Sequence, residues 1–232
     1  MEKSASEKRN DELSIALVFS LDAIFFSTKI IDTKFRQLQK TLIDAEEMNS
    51  ESFGDDLTVS LLGITWAIVD EVFRLREVSQ NTPFLKKKKF REVRKFLEIA
   101  RSVEPLRHYI QHLKESIRKI DANALPLWGS ISWQSSKDEL TSFTLIPGTL
   151  MGSMSAPTLT FDTHTSSFVE RIALHTNAGV VDIHRLCEAT AEFERFMSTW
   201  LLNLNWGNDF NYTPNRKMLF KASFEKHKVA NI

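Results

Sequence analysis

Apolar residues recur at three- and four-residue steps through four stretches of the chain, and in short runs through a fifth. The first is strongly apolar over 13–31, and Phe35, Leu38 and Leu42 carry the same period into charged sequence, which predicts a helix over 13–48. The polar run 49–56, NSESFGDD, reads as a loop, with Asp55 or Asp56 capping a second helix over 57–79. Leu61, Leu62, Ile68, Val69, Val72, Phe73 and Val78 give that helix its core face. Asn81-Thr82-Pro83 then breaks the chain before a third helix over 86–120. Its stripe is Phe90, Val93, Phe96 and Ile99, continued by Val103, Leu106, Ile110, Leu113, Ile117 and Ile120. A fourth helix over 182–204 starts at a capping Asp182 and buries Ile183, Leu186, Phe193, Met197 and Trp200.

Between the third and fourth helices the texture changes. Runs at 127–134, 141–146, 158–162 and 168–175 are short, rich in Ser, Thr and apolar residues, and punctuated by Gly and Pro. They predict a small antiparallel sheet inserted before the last helix, with Trp128 and Trp133 seating it on the bundle and 151–155 forming an exposed tip. The fold class is therefore α+β, mainly α. Residues 1–12 form a polar, frayed lead, 13–204 the bundle with its insertion at about 127–181, and 205–232 a C-terminal arm.

Composition changes this picture little. The chain has 232 residues with Lys+Arg 30 against Asp+Glu 30, so no overall charge drives it to nucleic acid or an acidic membrane. Single Cys187 excludes an intramolecular disulfide and a cysteine zinc site, reads as an inert buried thiol, and fits a reducing, cytoplasmic setting. Asp22, Lys29 and three serines interrupt the apolar 13–31 run, which therefore reads as a buried helix and not a membrane span. No signal peptide is expected at the N-terminus.

Candidate chemistry gathers on the third helix, in Arg107-His108-Tyr109-Ile110-Gln111-His112. The apolar stripe leaves His108, His112 and Glu115 on the polar side, with Arg107 at its edge. In a straight helix Arg107 and His112 stand roughly 140° apart, so shared work needs a groove or a second subunit. Pro105 changes that angle if it kinks the helix.

At these residues the chain resembles the HEPN superfamily, whose signature is Arg, a polar residue and a His a few positions on. The resemblance implies a four-helix bundle, an HEPN-like fold with the β insertion lying outside the likeness. It implies a metal-independent endoribonuclease of toxin–antitoxin or phage-defence type, acting on RNA as a homodimer with two motifs across a cleft, and an antitoxin protein as a candidate partner. His112 then serves as acid or base, Arg107 holds the phosphate, and His108 shapes the site. The alternative is a catalytically inactive bundle that binds RNA or protein.

Other residues bear on the same region. Lys86, Lys87, Lys88, Lys89 and Arg101 lead along the third helix toward the motif, either as a solvated face or as a track for a phosphate backbone. Asp70 and Arg74 stand four apart, either as a surface ion pair or as supports for Arg107 and His112. His108 and His112, with Glu104 or Glu115, have the spacing of metal ligands, but Arg107 adds repelling charge, and the expectation is no metal and no cofactor.

Overall fold

The computed structural model describes residues 5–48, 54–83, 85, 89–120, 124–148 and 156–202, and the further statements concern these residues. α1 (Ala5–Glu46) and α2 (Asp55–Asn81) form a long pair, and α6 (Ile183–Leu202) lies beside both. Their periodic leucines and isoleucines supply most of the core: Leu21, Ile31 and Leu38 from α1, Leu61, Ile68 and Leu75 from α2, and Leu186 and Phe193 from α6 are all buried. No helix among the described residues is long and apolar enough to cross a membrane.

Several boundaries differ from the expectation. α1 starts at Ala5, so most of the polar lead is helical backbone. α2 is capped by Gly54, whose lack of a side chain leaves no cap hydrogen bond; Asp55 and Asp56 sit in the first turn, where their charge complements the helix N-terminus. Asp182 does cap α6, accepting from the Arg185 amide at 2.9 Å. The tip at 151–155 and the whole arm at 205–232 lie outside the described residues.

The expected third helix is four pieces. α3 (Arg91–Ala100) gives way to a 3-10 turn (Arg101–Val103), α4 (Glu104–Gln111) and a short α5 (Leu113–Ile117). Pro105 falls in the first turn of α4, where a missing amide hydrogen costs nothing, so it starts a helix and does not kink one. The second break is at His112, whose φ of −108° and ψ of 33° leave the helical region. The Ser116 hydroxyl then bonds the His112 carbonyl at 3.2 Å and reaches the Tyr109 carbonyl at 3.4 Å. Beyond the break the apolar stripe loses its partner. Ile117 and Ile120 are exposed, not core.

The insertion is a four-stranded antiparallel sheet in the order β2-β1-β5-β6, with a separate hairpin of β3 (Phe161–Asp162) and β4 (Ser167–Phe168). β1 (Ser130–Gln134) pairs with both β2 (Ser142–Leu145) and β5 (Ile172–Thr176), and β5 with β6 (Gly179–Asp182). Strand alternation divides the sheet. Ile131, Trp133, Ile172, Leu174 and Val181 join the bundle core, while Ser130, Ser132, Thr144 and His175 occupy the other face. The Pro157 carbonyl accepts from Ser132 on that polar face, and β1 is buried on both sides.

Glu46 clamps sheet to bundle. At the last residue of α1, its carboxylate accepts from the Trp133 indole at 3.2 Å, the Ser135 hydroxyl at 3.1 Å, and the Ser136 amide and hydroxyl at 3.0 and 2.9 Å. Trp133, stacked on Phe143 at 5.3 Å, thus seats the sheet as expected. Trp128 does not: its ring is half exposed, and the residue contributes its carbonyl, which accepts from the Trp66 indole at 3.1 Å.

Candidate functional site

Arg107 leaves α4 toward α2, one helical turn before the His112 break. Its Nη1 donates to Asp70 Oδ1 at 2.8 Å, and its guanidinium lies over the Phe73 ring at 5.4 Å. Asp70 and Phe73 are three apart on α2 and therefore share a face, so one helix supplies both the carboxylate and the ring. The Arg107 side chain keeps 21% of its surface exposed, but its buried Nε has no hydrogen-bond partner. The cation is held firmly and its hydrogen-bonding capacity is only partly used.

Sequence reasoning brought Asp70 to this region with Arg74 as its expected ion-pair partner. The structure re-sorts those charges. Arg74 bonds Glu71 at 3.1 Å, and Glu71 in turn accepts from Ser27 of α1 at 2.6 Å. Asp70 is left to Arg107. Arg76 is buried and bonds Glu104 at 2.7 Å, tying the first turn of α4 to α2. Tyr109 fixes the other side of α4: its hydroxyl donates to the Leu127 carbonyl at 3.2 Å.

His108 and His112 face solvent. Their rings are one helical turn apart, with centroids at 4.4 Å and planes tilted by 40°. His112 Nδ1 lies 4.0 Å from Glu115 Oε1, too far for a hydrogen bond. Two imidazoles therefore stand accessible on the helix that carries a clamped arginine. Among the described residues no three His, Cys, Asp or Glu side chains gather as a metal site.

The basic run is only partly described. Lys86, Lys87 and Lys88 lie outside the described residues, and Lys89 is exposed with its ammonium 5.2 Å from the Phe90 ring centroid. Arg101 is exposed, with its Nε 3.7 Å from Glu104. Lys95 pairs with Glu192 of α6. Arg91 and Arg94 are exposed on the same helix.

A second polar cluster, which sequence reasoning missed, lies inside the sheet. Ser132 Oγ is 2.9 Å from His175 Nε2, Thr144 donates to Ser132 at 3.3 Å, and Ser132 also reaches the Pro157 carbonyl at 3.1 Å. Burial pushes the His175 imidazole below its ordinary value. The spacing is that of a nucleophile and its base, yet Ser132 is wholly buried and His175 nearly so. No substrate can reach that hydroxyl in this conformation, so the cluster is a polar core. Its only sequence signal is small hydroxyl residues on strands, which does not give the register that joins them.

Cys187 is buried, and desolvation drives its thiol well above the ordinary range, so it stays protonated and unreactive. Set against known proteins, the chain matches no family model, no curated protein and no solved structure.

Proposed function

We propose that this chain is a HEPN-like, metal-independent endoribonuclease that works in the cytoplasm as a homodimer. One observation supports the reading above others: two accessible, mutually packed imidazoles lie on the same short helix as an arginine held by Asp70.

The chemistry needs a base to take the 2′-hydroxyl proton, an acid to protonate the leaving 5′-oxygen, and a cation for the non-bridging oxygens. Imidazole titrates near neutrality and suits either proton transfer. His112, at the break, takes the acid–base role, and His108 shapes the site or shares the proton. Arg107 directs its remaining N–H groups to the phosphate. A second subunit supplies the complementary acid or base across a cleft, with the two α4 segments near the twofold axis. The phage-defence or toxin setting, and an antitoxin partner, come with the HEPN resemblance.

A second reading has an observation in its favour. Arg107 already spends one arm on Asp70 and rests its plane on Phe73, as it would in an inactive bundle that only binds RNA or protein. Incubation of purified protein with single-stranded RNA in EDTA separates the two. The nuclease gives products ending in 2′,3′-cyclic phosphate, and His112→Ala abolishes them. Arg107→Lys is badly impaired as well, because a point charge cannot replace the guanidinium fork. RNA left equally intact by wild type and His112→Ala, over a range of substrates, leaves the binding module standing.

A further inference from the structure

α1 carries an apolar stripe that nothing among the described residues covers. Ile15, Phe19, Phe26 and Ile30 are 57%, 70%, 40% and 43% exposed. Their steps of four, seven and four place them within about 60° of arc at 100° per residue, over roughly 22 Å of helix. The opposite side of α1 is fully used: Leu17, Leu21, Ile24 and Ile31 are buried in the core. Four large side chains in one exposed row mark a contact surface, since scattered apolar exposure has no such period.

The path of α6 identifies what covers it. Phe35 of α1 meets His184 of α6 at 5.5 Å between ring centroids, and Lys29 meets Glu194 at 2.6 Å, so the two helices run antiparallel. Extending that register at equal rise brings Leu202 beside about residue 21 of α1. α6 therefore delivers the chain to the middle of the exposed stripe, on the Lys29 flank. Residues 203–232 continue from that point, outside the described span, and carry Trp206, Phe210, Leu219, Phe220 and Phe224.

We propose that the segment 203–232 folds back on the same chain and packs Phe and Leu side chains over Ile15, Phe19, Phe26 and Ile30. Thirty residues of chain are far more than the stripe's length requires. Tethering raises the segment's local concentration to the millimolar range, well above that of a second molecule in dilute solution. This inference stands apart from the catalytic reading.

The experiment uses the full chain with benzoylphenylalanine in place of Phe19, mixed as isotopically heavy and light protein, irradiated and mapped by mass spectrometry. Light–light and heavy–heavy crosslinks into 203–232 are expected. The same photoprobe in place of Val169, which is exposed on the sheet side, yields none there. Heavy–light crosslinks, which report a second copy, or an absence of crosslinks into 203–232 overturn the proposal. A second arm replaces Phe19 with Glu in the full chain. Amide exchange within 203–232 then rises by about tenfold or more, and exchange identical to wild type also overturns it.

Discussion

Two histidine sites in this molecule invert the usual expectation about which one does chemistry. His175 has the better-made environment: a serine at 2.9 Å, a threonine behind that serine, and the Pro157 carbonyl closing the set. His108 and His112 have each other and a distant Glu115. Yet His175 is enclosed and the motif histidines face water. A buried network holds a fold together, because Ser132, Thr144 and His175 already have partners and no substrate can enter. An exposed pair with spare capacity can take a proton from a bound molecule. Completeness of hydrogen bonding points toward structure here, and incompleteness toward function.

Substitution of each histidine in turn gives the sharpest test. His112→Ala should cut ribonuclease activity by at least about 100-fold while shifting unfolding free energy by no more than about 0.5 kcal/mol. His175→Ala should do the reverse. It takes one partner from the buried Ser132 and empties a buried site, and should cost about 1–3 kcal/mol in a denaturant titration, with unchanged activity per folded molecule. If both variants lose stability alike, the division between the two sites collapses.

Acid sharpens it further. Burial holds the folded His175 below its ordinary value, so as pH falls the unfolded chain takes the proton first. The contribution of neutral His175 is complete above the unfolded imidazole range, near ~6.5, and is lost progressively as pH drops through that value toward the lower folded one. Urea midpoints measured from neutral to mildly acidic pH should therefore fall more steeply for wild type than for His175→Gln. Equal slopes would remove His175 as the cause. The smallest effect is expected at Asp70→Asn. Its partly exposed pair with Arg107 contributes less than about 1 kcal/mol, so the folded state should survive while cleavage weakens through a loosened arginine.

The sequence conveyed these parts unevenly, for physical reasons. α1, α2 and α6 were legible because each repeats its apolar period over many turns. The third helix was not. Its break at His112 involves neither Gly nor Pro, and Ile117 and Ile120 continue the core period although both are exposed. At the motif, Arg107, His108 and His112 could be picked out by residue type. Their support could be read only halfway: Asp70 is 37 residues from Arg107, and spacing alone favoured Arg74 as its partner. Ser132 and His175 were invisible for the same reason in stronger form, since strand register across 43 residues decides their meeting.

Glu46 bears on the order in which the chain assembles. Its partners Trp133 and Ser136 lie 87 and 90 residues away, so this clamp closes a very long loop. Closure over that span costs roughly 4 kcal/mol of chain entropy, whereas helix turns and hairpins form between near neighbours. Contacts of this range are expected to form late. Trp133 would then report sheet docking as a slow fluorescence phase after helical signal has appeared, and Glu46→Gln should speed undocking more than it slows helix formation.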